Sequence, residues 1–310
     1  MSDLAVAKVP LSERMSPLLD GRRLSVATAA LAVIALLVWL AALQLPDGQL
    51  HVAFLDVGQG DAIFITAPDG RQVLVDGGPS PTQLAGALGQ QMPFWDRSID
   101  LVVLTHSDDD HMTGLIPLFD RYRVARALTG VHTLNAPEAL FWREAADAAG
   151  VPLAVAERGM QIDLGRGVRL DVLHPEAEPL SGAAADDNNN SVVLRLTHGE
   201  ISFLLTGDLE AAGEQALLTS GQPLAAQVLK VSHHGSGGAT TGEFLRAVAP
   251  QMAVIQVGTN NRFGHPAPET GKRLATVGAQ VLRTDQHGTV EIISDGRQLR
   301  VRTAKRPQQG

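Results

Sequence analysis

Five short polar stretches, each abutting an apolar strand-like run, constrain this chain more than any other feature. They are L-V-D-G-G at 74–78, T-H-S-D-D-D-H at 105–111, N-N-N-S at 188–191, L-L-T-G-D at 204–208 and S-H-H-G at 232–235. Four follow an apolar run; the asparagine stretch precedes one. Leu101-Val102-Val103-Leu104 shows the type: a continuous apolar run, as a strand buried on both faces has. Loops at the ends of such strands are where a scaffold mounts its chemistry. One aspartate after a strand is commonplace. Five polar stations on strand ends imply a fold that gathers those ends around one cleft.

The second station is the richest. His106, Asp108, Asp110 and His111 place four potential metal ligands within six positions. Imidazole and carboxylate are the donors from which proteins build Zn²⁺ and Mn²⁺ sites. The chain has no cysteine, so any metal site is made of His, Asp and Glu, and there are no disulfides. Read alone, three consecutive aspartates are an ordinary solvated acidic loop; the other four stations weigh against that. With 45% apolar and 19% charged residues the chain is largely globular. Its net charge of −8 excludes nucleic-acid binding by bulk charge, though not through a local basic groove.

Residues 24–45 stand apart from the globule. Leu24 to Leu45 carries no charge and is rich in Ala, Leu and Val, long enough to span a bilayer as a helix. Trp39 sits toward one end, a common interfacial position. Lys8, Arg14, Arg22 and Arg23 precede the run and Asp47 follows it. The excess of basic residues places 1–23 in the cytoplasm and the remainder outside. A cleaved signal peptide is the rival reading, but the leader is long and Gln44-Leu45-Pro46 is a poor cleavage site.

The expected organisation is therefore a cytoplasmic segment 1–23, a membrane span 24–45, a domain 49–303 and a tail 304–310. Strand-like segments at 52–57, 62–67 and 72–75 are separated by turn signals such as Pro68-Asp69-Gly70. Helical stretches follow at 81–91, 113–119 and 136–149, interleaved with strands near 101–104, 125–128 and 153–155. The second half repeats the mixture, with strands near 168–173, 192–196, 201–205, 228–231 and 252–256, and closes on three more. The loop 181–190, with D-D-N-N-N, reads as exposed. Asp56 and Asp61 flank Gly58-Gln59-Gly60, read as a hairpin turn whose Asp61 can approach the cleft. The spacing of that G-x-G to a helix is wrong for a dinucleotide site. His51, His132, His174 and His198 form no cluster in the sequence.

The stations together resemble the motifs of the metallo-β-lactamase superfamily over roughly Gln49 to Val301. The strings F-L-D-V-G-Q-G-D-A at 54–62, L-T-H-S-D-D-D-H-M-T-G-L at 104–115, N-N-N-S-V-V-L at 188–194, L-K-V-S-H-H-G-S at 229–236, G-H-P at 264–266 and R-T-D-Q-H-G-T-V at 283–290 carry the likeness further. They resemble the extracellular hydrolase domain of ComEC-type DNA-uptake competence proteins. The resemblance implies a fold of mixed α/β (α+β) class, an αββα sandwich, here preceded by one transmembrane helix. Those relatives are multi-spanning channels, whereas this sequence offers one candidate span. It is expected to be the last span and hydrolase end of such a protein, or an independent relative carrying only that module.

The resemblance also implies a site. The superfamily's second motif is usually H-x-H-x-D-H; here Asp108 replaces the middle histidine. The third motif usually supplies a histidine, and the matching place is Asn190-Ser191. A first metal would then be held by His106 and Asp108. A second would be held by Asp110, His111 and one of His233 and His234, with Asp208 bridging. More oxygen donors make the site harder and favour Mn²⁺ relative to Zn²⁺. Asp110 is also expected to orient the attacking water. Lys230 and His265 are candidates for phosphate contact or leaving-group protonation. Asp76, Asn190, Ser191 and Asp285 are expected to touch substrate or support the ligands. The implied activity is a membrane-anchored, metal-dependent phosphodiesterase cutting DNA, single-stranded, outside the cytoplasm, with a DNA-uptake channel as partner. The alternatives are a metallo-hydrolase of another substrate (a phosphocholine ester, nucleotide or lactone) and a degenerate, non-catalytic interaction module.

Overall fold

The computed structural model describes residues 21–42, 46–182 and 186–305. The amino-terminal segment up to residue 20, the last three residues of the expected span and the tail from 306 lie outside the described residues. The chain divides into two compact units at 45/46.

In the first unit Gly21–Ala42 is one helix. Its side chains are described over 24–40, where Leu31, Val33, Ile34, Leu36, Leu37 and Trp39 are all exposed. Among the described residues no helix is long and apolar enough to cross a membrane.

The second unit is built from strands with alternating or continuous apolar character. In chain order they are β1 (Leu50–Phe54), β2 (Ile63–Thr66), β3 (Gln72–Val75), β4 (Ser98–Ile99), β5 (Leu101–Leu104), β6 (Arg123–Val124), β7 (Ala127–Gly130) and β8 (Leu153–Ala156). Then come β9 (Gln161–Asp163), β10 (Val168–His174), β11 (Val193–His198), β12 (Ile201–Leu205), β13 (Val228–Lys230), β14 (Met252–Ile255), β15 (Gln280–Arg283), β16 (Val290–Ser294) and β17 (Leu299–Thr303). One sheet has the order β17-β16-β1-β2-β3-β5-β7-β8 and the other β15-β14-β13-β12-β11-β10-β9; β4 and β6 form a small side pair. Each sheet is antiparallel on one side and parallel on the other. The change falls at β3, which pairs antiparallel with β2 and parallel with β5. In the second sheet it falls at β12, antiparallel to β11 and parallel to β13.

Burial explains the layering. Val52, Phe54, Ile65, Val73 and Val103 from the first sheet meet Leu170, Leu194, Phe203, Val228 and Val254 from the second in one core. The outer face of the first sheet, with Phe64, Leu74 and Val102, packs beneath Leu84 and Leu88 of helix Pro81–Gln91 and Trp142 of helix Leu140–Ala148. The outer face of the second, with Leu204, Leu229 and Ala253, packs beneath Leu217, Phe244 and Leu274 of three helices. The result is the four-layer αββα sandwich. The parallel strands end at one edge, and their carboxyl ends carry Asp76, the run 105–111, Asp208, Ser232–His234 and Gln256.

The loop read as exposed is so at Ser181 and Gly182 but not at its asparagine end, and 183–185 lie outside the described residues. Asn188, Asn189, Asn190 and Ser191 are all buried. Asp186–Asn189 forms a helical turn, and the asparagine side chains complete backbone groups that would otherwise lack partners. Asn190 donates to the carbonyls of Leu180 and Asp186 and accepts from the Leu180 N–H. Asn189 Oδ1 accepts from the Gly213 N–H. Composition signalled solvent, whereas the amides are structural rivets.

Candidate active site

The carboxylate of Asp76, at the end of β3, is the hub of the site. Its Oδ1 accepts from the Thr105 N–H at 2.8 Å, and its Oδ2 accepts from Thr105 Oγ1 at 2.7 Å and His111 Nδ1 at 2.8 Å. Asp76 holds φ 59, in the left-handed region, where Asp is better tolerated than most residues. Thr105 Oγ1 in turn lies 3.0 Å from His106 Nδ1. Since that hydroxyl gives its hydrogen to Asp76, it accepts from His106.

The second sheet supplies the facing histidine. His234 is buried, and its Nδ1 donates to the Gln256 carbonyl at 2.9 Å. Both His233 (φ 47) and His234 (φ 51) are left-handed, a strained arrangement of the kind stored at functional sites. In each of His106, His111 and His234 one ring nitrogen is thus committed as a donor. The remaining Nε2 is buried and without a hydrogen bond among the described residues, so it can offer its lone pair to a metal once it carries no proton. That pattern, one nitrogen oriented by an outer partner and the other free, is how proteins present imidazole to a metal.

The carboxylates complete the donor set. Asp208 Oδ1 lies 3.3 Å from His111 Nε2, and its Oδ2 lies 3.2 Å from His234 Nε2. Asp110 Oδ2 is 3.2 Å from His234 Nε2, and Asp108 Oδ2 is 3.4 Å from His106 Nε2. Donor atoms of His106, His111 and Asp208, and of Asp110, His111 and His234, fall within 4.8 Å of one another. The residues fit one or two divalent ions. His234, rather than His233, is the ligand-type member of the pair. His233 is partly exposed; its Nδ1 pairs with Glu210 at 2.9 Å, and its Nε2 stands 3.7 Å from Asp208.

The charges in the site set one another. Burial opposes charge on His111, but Asp208 and Asp76 outweigh it and raise its pKa well above the usual histidine range. Burial likewise opposes charge on His234, and Asp208 and Asp61 outweigh it in the same way. Burial would raise Asp208, yet His234, His111 and Lys230 hold it well below the usual carboxylate range. Asp110 is also lowered, its burial outweighed by His234 and His111.

Two expected roles need correction. Lys230 is fully buried, and its ammonium donates to the Gly207 carbonyl at 2.6 Å while pairing with Asp61 and with Asp208 at 3.3 Å. It lies beneath the cleft and cannot reach a phosphate, because the strand β13 points it inward between two carboxylates. Asn190 is spent on holding the 180–190 loop to itself. Ser191 is buried and accepts from the Asp208 N–H at 3.2 Å, 3.5 Å from His106 Nδ1. Asp285 pairs with Arg283 at 2.6 and 3.0 Å. His265 is half-buried at the rim, its ring 5.7 Å from that of His233.

Sequence reasoning underrated Asp61. It is buried, with Oδ1 3.3 Å from His234 Nδ1 and its N–H donating to the Asp110 carbonyl at 3.1 Å. Its ion-pair partner is Lys230. The signal was the G-Q-G before it. Gly60 has φ 141, and a Cβ there would fall 2.2 Å from the Asp110 carbonyl oxygen. Only glycine lets the hairpin lie against the metal-binding run. Gln256 clamps that hairpin by donating to the carbonyls of Leu55 and Ala62, while its own carbonyl orients His234. Glu210 was also missed; nothing in L-L-T-G-D-L-E singles it out.

An αββα sandwich with a His/Asp site at the carboxyl edge of both sheets defines a class of divalent-metal hydrolases. Residues 55–258 match the metallo-β-lactamase superfamily, and the chain belongs to it. It is 35% identical over 257 residues to ComE operon protein 3 of Bacillus subtilis (strain 168), covering 78% of this chain and 32% of that protein. It is 32% identical over 247 residues to competence protein ComA of Neisseria gonorrhoeae, covering 79% of this chain and 32% of that protein. The chain therefore spans about a third of the length of these relatives. In fold it is similar to CmlA, a diiron β-hydroxylase from Streptomyces venezuelae, with a TM-score of 0.50 at 15% identity, covering 77% of this chain and 53% of that one.

Two outcomes follow from the geometry. His234→Ala is expected to cut divalent-metal affinity by about 10-fold or more, whereas His233→Ala retains it; titration calorimetry separates the two. The second concerns pH. A histidine whose folded pKa is raised adds stability below its unfolded value, about 6.5, that is lost as pH rises through the folded one. Metal-free protein is therefore expected to melt at lower temperature as pH is raised from about 6.5 to 9. Protein loaded with Zn²⁺ or Mn²⁺ shows the opposite slope, because protons and metal compete for the same nitrogens. Melting curves with and without EDTA across that range check it; parallel slopes refute the assignment.

Proposed function

We propose that this protein is a metal-dependent phosphodiesterase that cuts DNA, single-stranded, outside the cytoplasm while held to the membrane through the uncharged run Leu24–Leu45. The observation that carries it is the convergence of three buried, hydrogen-bond-free Nε2 atoms on the carboxylates of Asp110 and Asp208. The substrate class rests on the relatives, which include competence proteins.

His111, His234, Asp110 and Asp208 would hold one ion; His106 and Asp108, sharing Asp208, would hold the other. Divalent ions in such a site supply a nucleophile from water at neutral pH and stabilise charge on a phosphoryl oxygen. The oxygen-rich donor set suits Mn²⁺ as well as Zn²⁺. The protein's own contribution is placement. Asp110, partly exposed at the rim, orients an attacking water by accepting a hydrogen bond from it. His233, oriented by Glu210 through Nδ1, presents Nε2 to the cleft and protonates the departing oxygen. Lys230, Asp61 and Asp76 stay below, fixing the ligands.

The anchor rests on the uncharged run Leu24–Leu45, with basic residues on one side only. Part of that run lies outside the described residues. A DNA-uptake channel supplied by another chain is the partner this arrangement implies.

Two measurements bear on this reading. With Mn²⁺ or Zn²⁺ the full chain is expected to cleave single-stranded DNA, and Asp110→Ala to lower the rate by at least about 100-fold. Turnover of a small phosphoester or lactone without DNA cleavage would replace the DNA reading. For topology, a carboxyl-terminal reporter active only in the cytoplasm is expected to be silent; a signal from it overturns the external placement.

A further inference from the structure

Beside the metal site an aromatic ladder runs outward from His233 to rings that the proposed chemistry does not use, Phe263 at its far end. His233 leads to His265, with ring centroids 5.7 Å apart, and His265 leads to Phe263 at 5.8 Å, the two rings within 14° of parallel. Over Phe263 lies the guanidinium of Arg262, 4.9 Å from the ring centroid. Phe263 is 54% exposed, although most large apolar side chains of this unit are buried. Singly exposed apolar side chains are ordinary, and Phe94 and Phe141 are more exposed; Phe263 is set apart by its place at the end of the ring series that starts at the site.

The segment is built to hold that ring in place. Asn261 Nδ2 donates to the carbonyls of Gly258 and His265, and its Oδ1 accepts from the His265 N–H. These three bonds close 258–265 into a tight loop pinned to the end of β14. Gly258 itself lies against the G-Q-G hairpin, where its N–H donates to Gln59 Oε1. Phe263 is therefore fixed relative to both sheets, on a platform continuous with the metal ligands.

We propose that Phe263 and Arg262 form a nucleobase subsite: the base next to the cleaved phosphate stacks on Phe263, and Arg262 swings to that nucleotide's phosphate. The chemistry fits single-stranded nucleic acid, because an aromatic face with an adjacent cation is how sequence-tolerant sites grip an unpaired strand. A duplex would keep that base inside its stack. The subsite also answers the chain's net charge of −8. Affinity at this position comes from stacking and one mobile guanidinium rather than from a broad basic surface. The proposal rests on the DNA reading above and adds to it a residue pair and a preference for unpaired bases.

The test compares KM of the full, Mn²⁺-loaded chain for two single-stranded oligodeoxynucleotides, identical except that one lacks the base beside its single cleavable phosphate. Stacking of one base is worth about 1–3 kcal/mol, roughly 5- to 150-fold in affinity. The wild type is expected to show a KM at least about 5-fold lower for the intact strand. Phe263→Leu is expected to lose that discrimination, Phe263→Tyr to keep it, and Phe94→Leu, at an exposed ring elsewhere, to keep it too. Discrimination kept by both Phe263→Tyr and Phe94→Leu shows that its loss in the Phe263→Leu protein is not misfolding. Equal KM for the two strands, or full discrimination by Phe263→Leu, overturns the subsite while DNA cleavage itself stands. Absence of cleavage of either strand overturns the DNA reading, and the subsite with it.

Discussion

Everything at the active edge depends on one carboxylate receiving three donors. Asp76 takes the Thr105 N–H, the Thr105 hydroxyl and His111 Nδ1, so the end of β3, the end of β5 and the metal-binding run are locked by a single side chain. The lock does chemical work through hydrogen position. Because Asp76 is an acceptor only, His111 must carry its proton on Nδ1, and Thr105, having given its own hydrogen away, imposes the same tautomer on His106. Two Nε2 atoms are thereby aimed into the cleft by a carboxylate that binds only their opposite sides. Gln256 does the same for His234 from the other sheet. The two halves of the sandwich use different acceptors, a carboxylate and a backbone carbonyl, for one result.

The buried charges make sense only as a group. Asp61, Asp208 and Lys230 are each almost wholly removed from water, which is costly for any of them alone. Together the ammonium sits between two carboxylates and on the Gly207 carbonyl. Against the effect of burial this pairing raises the pKa of Lys230, and Lys230 with His234 keeps Asp61 ionised while His234, His111 and Lys230 keep Asp208 so. Asp208 is therefore ready as a metal ligand without first losing a proton. A neutral side chain in place of Lys230 would leave the carboxylates to repel one another.

The sequence revealed the parts of this architecture that follow from simple periodicity. Apolar runs at 101–104, 201–205 and 252–255 became strands because burial on both faces tolerates no alternation, and the ligand stations fell at their ends. What it hid were roles decided by direction. Lys230 sits on a strand so short that no alternation shows which way it points. The asparagines at 188–190 have the composition of a surface loop, yet serve as internal acceptors and donors. Asp61 precedes its strand rather than following it, so a search for polar residues after apolar runs passes over it. Glu210 and Gln256 act on the paired histidines through one hydrogen bond each, and such contacts have no signature in a linear pattern.

Asp108 is where the site departs from an even pair of metal positions. Its side chain is 46% exposed and stands 3.4 Å from His106 Nε2, whereas Asp208, a carboxylate against His234, is buried with it. A ligand in contact with solvent exchanges its metal contacts for water at little cost; a buried one cannot. The His234 side would hold an ion with three buried groups, His111, Asp208 and His234, and the partly exposed Asp110, while the His106 side would rely on one buried imidazole and a solvent-facing carboxylate. The exchange of a histidine for Asp108 thus gives the His106 side a solvent-facing oxygen donor, and the two halves of the site differ in burial as well as in donor type.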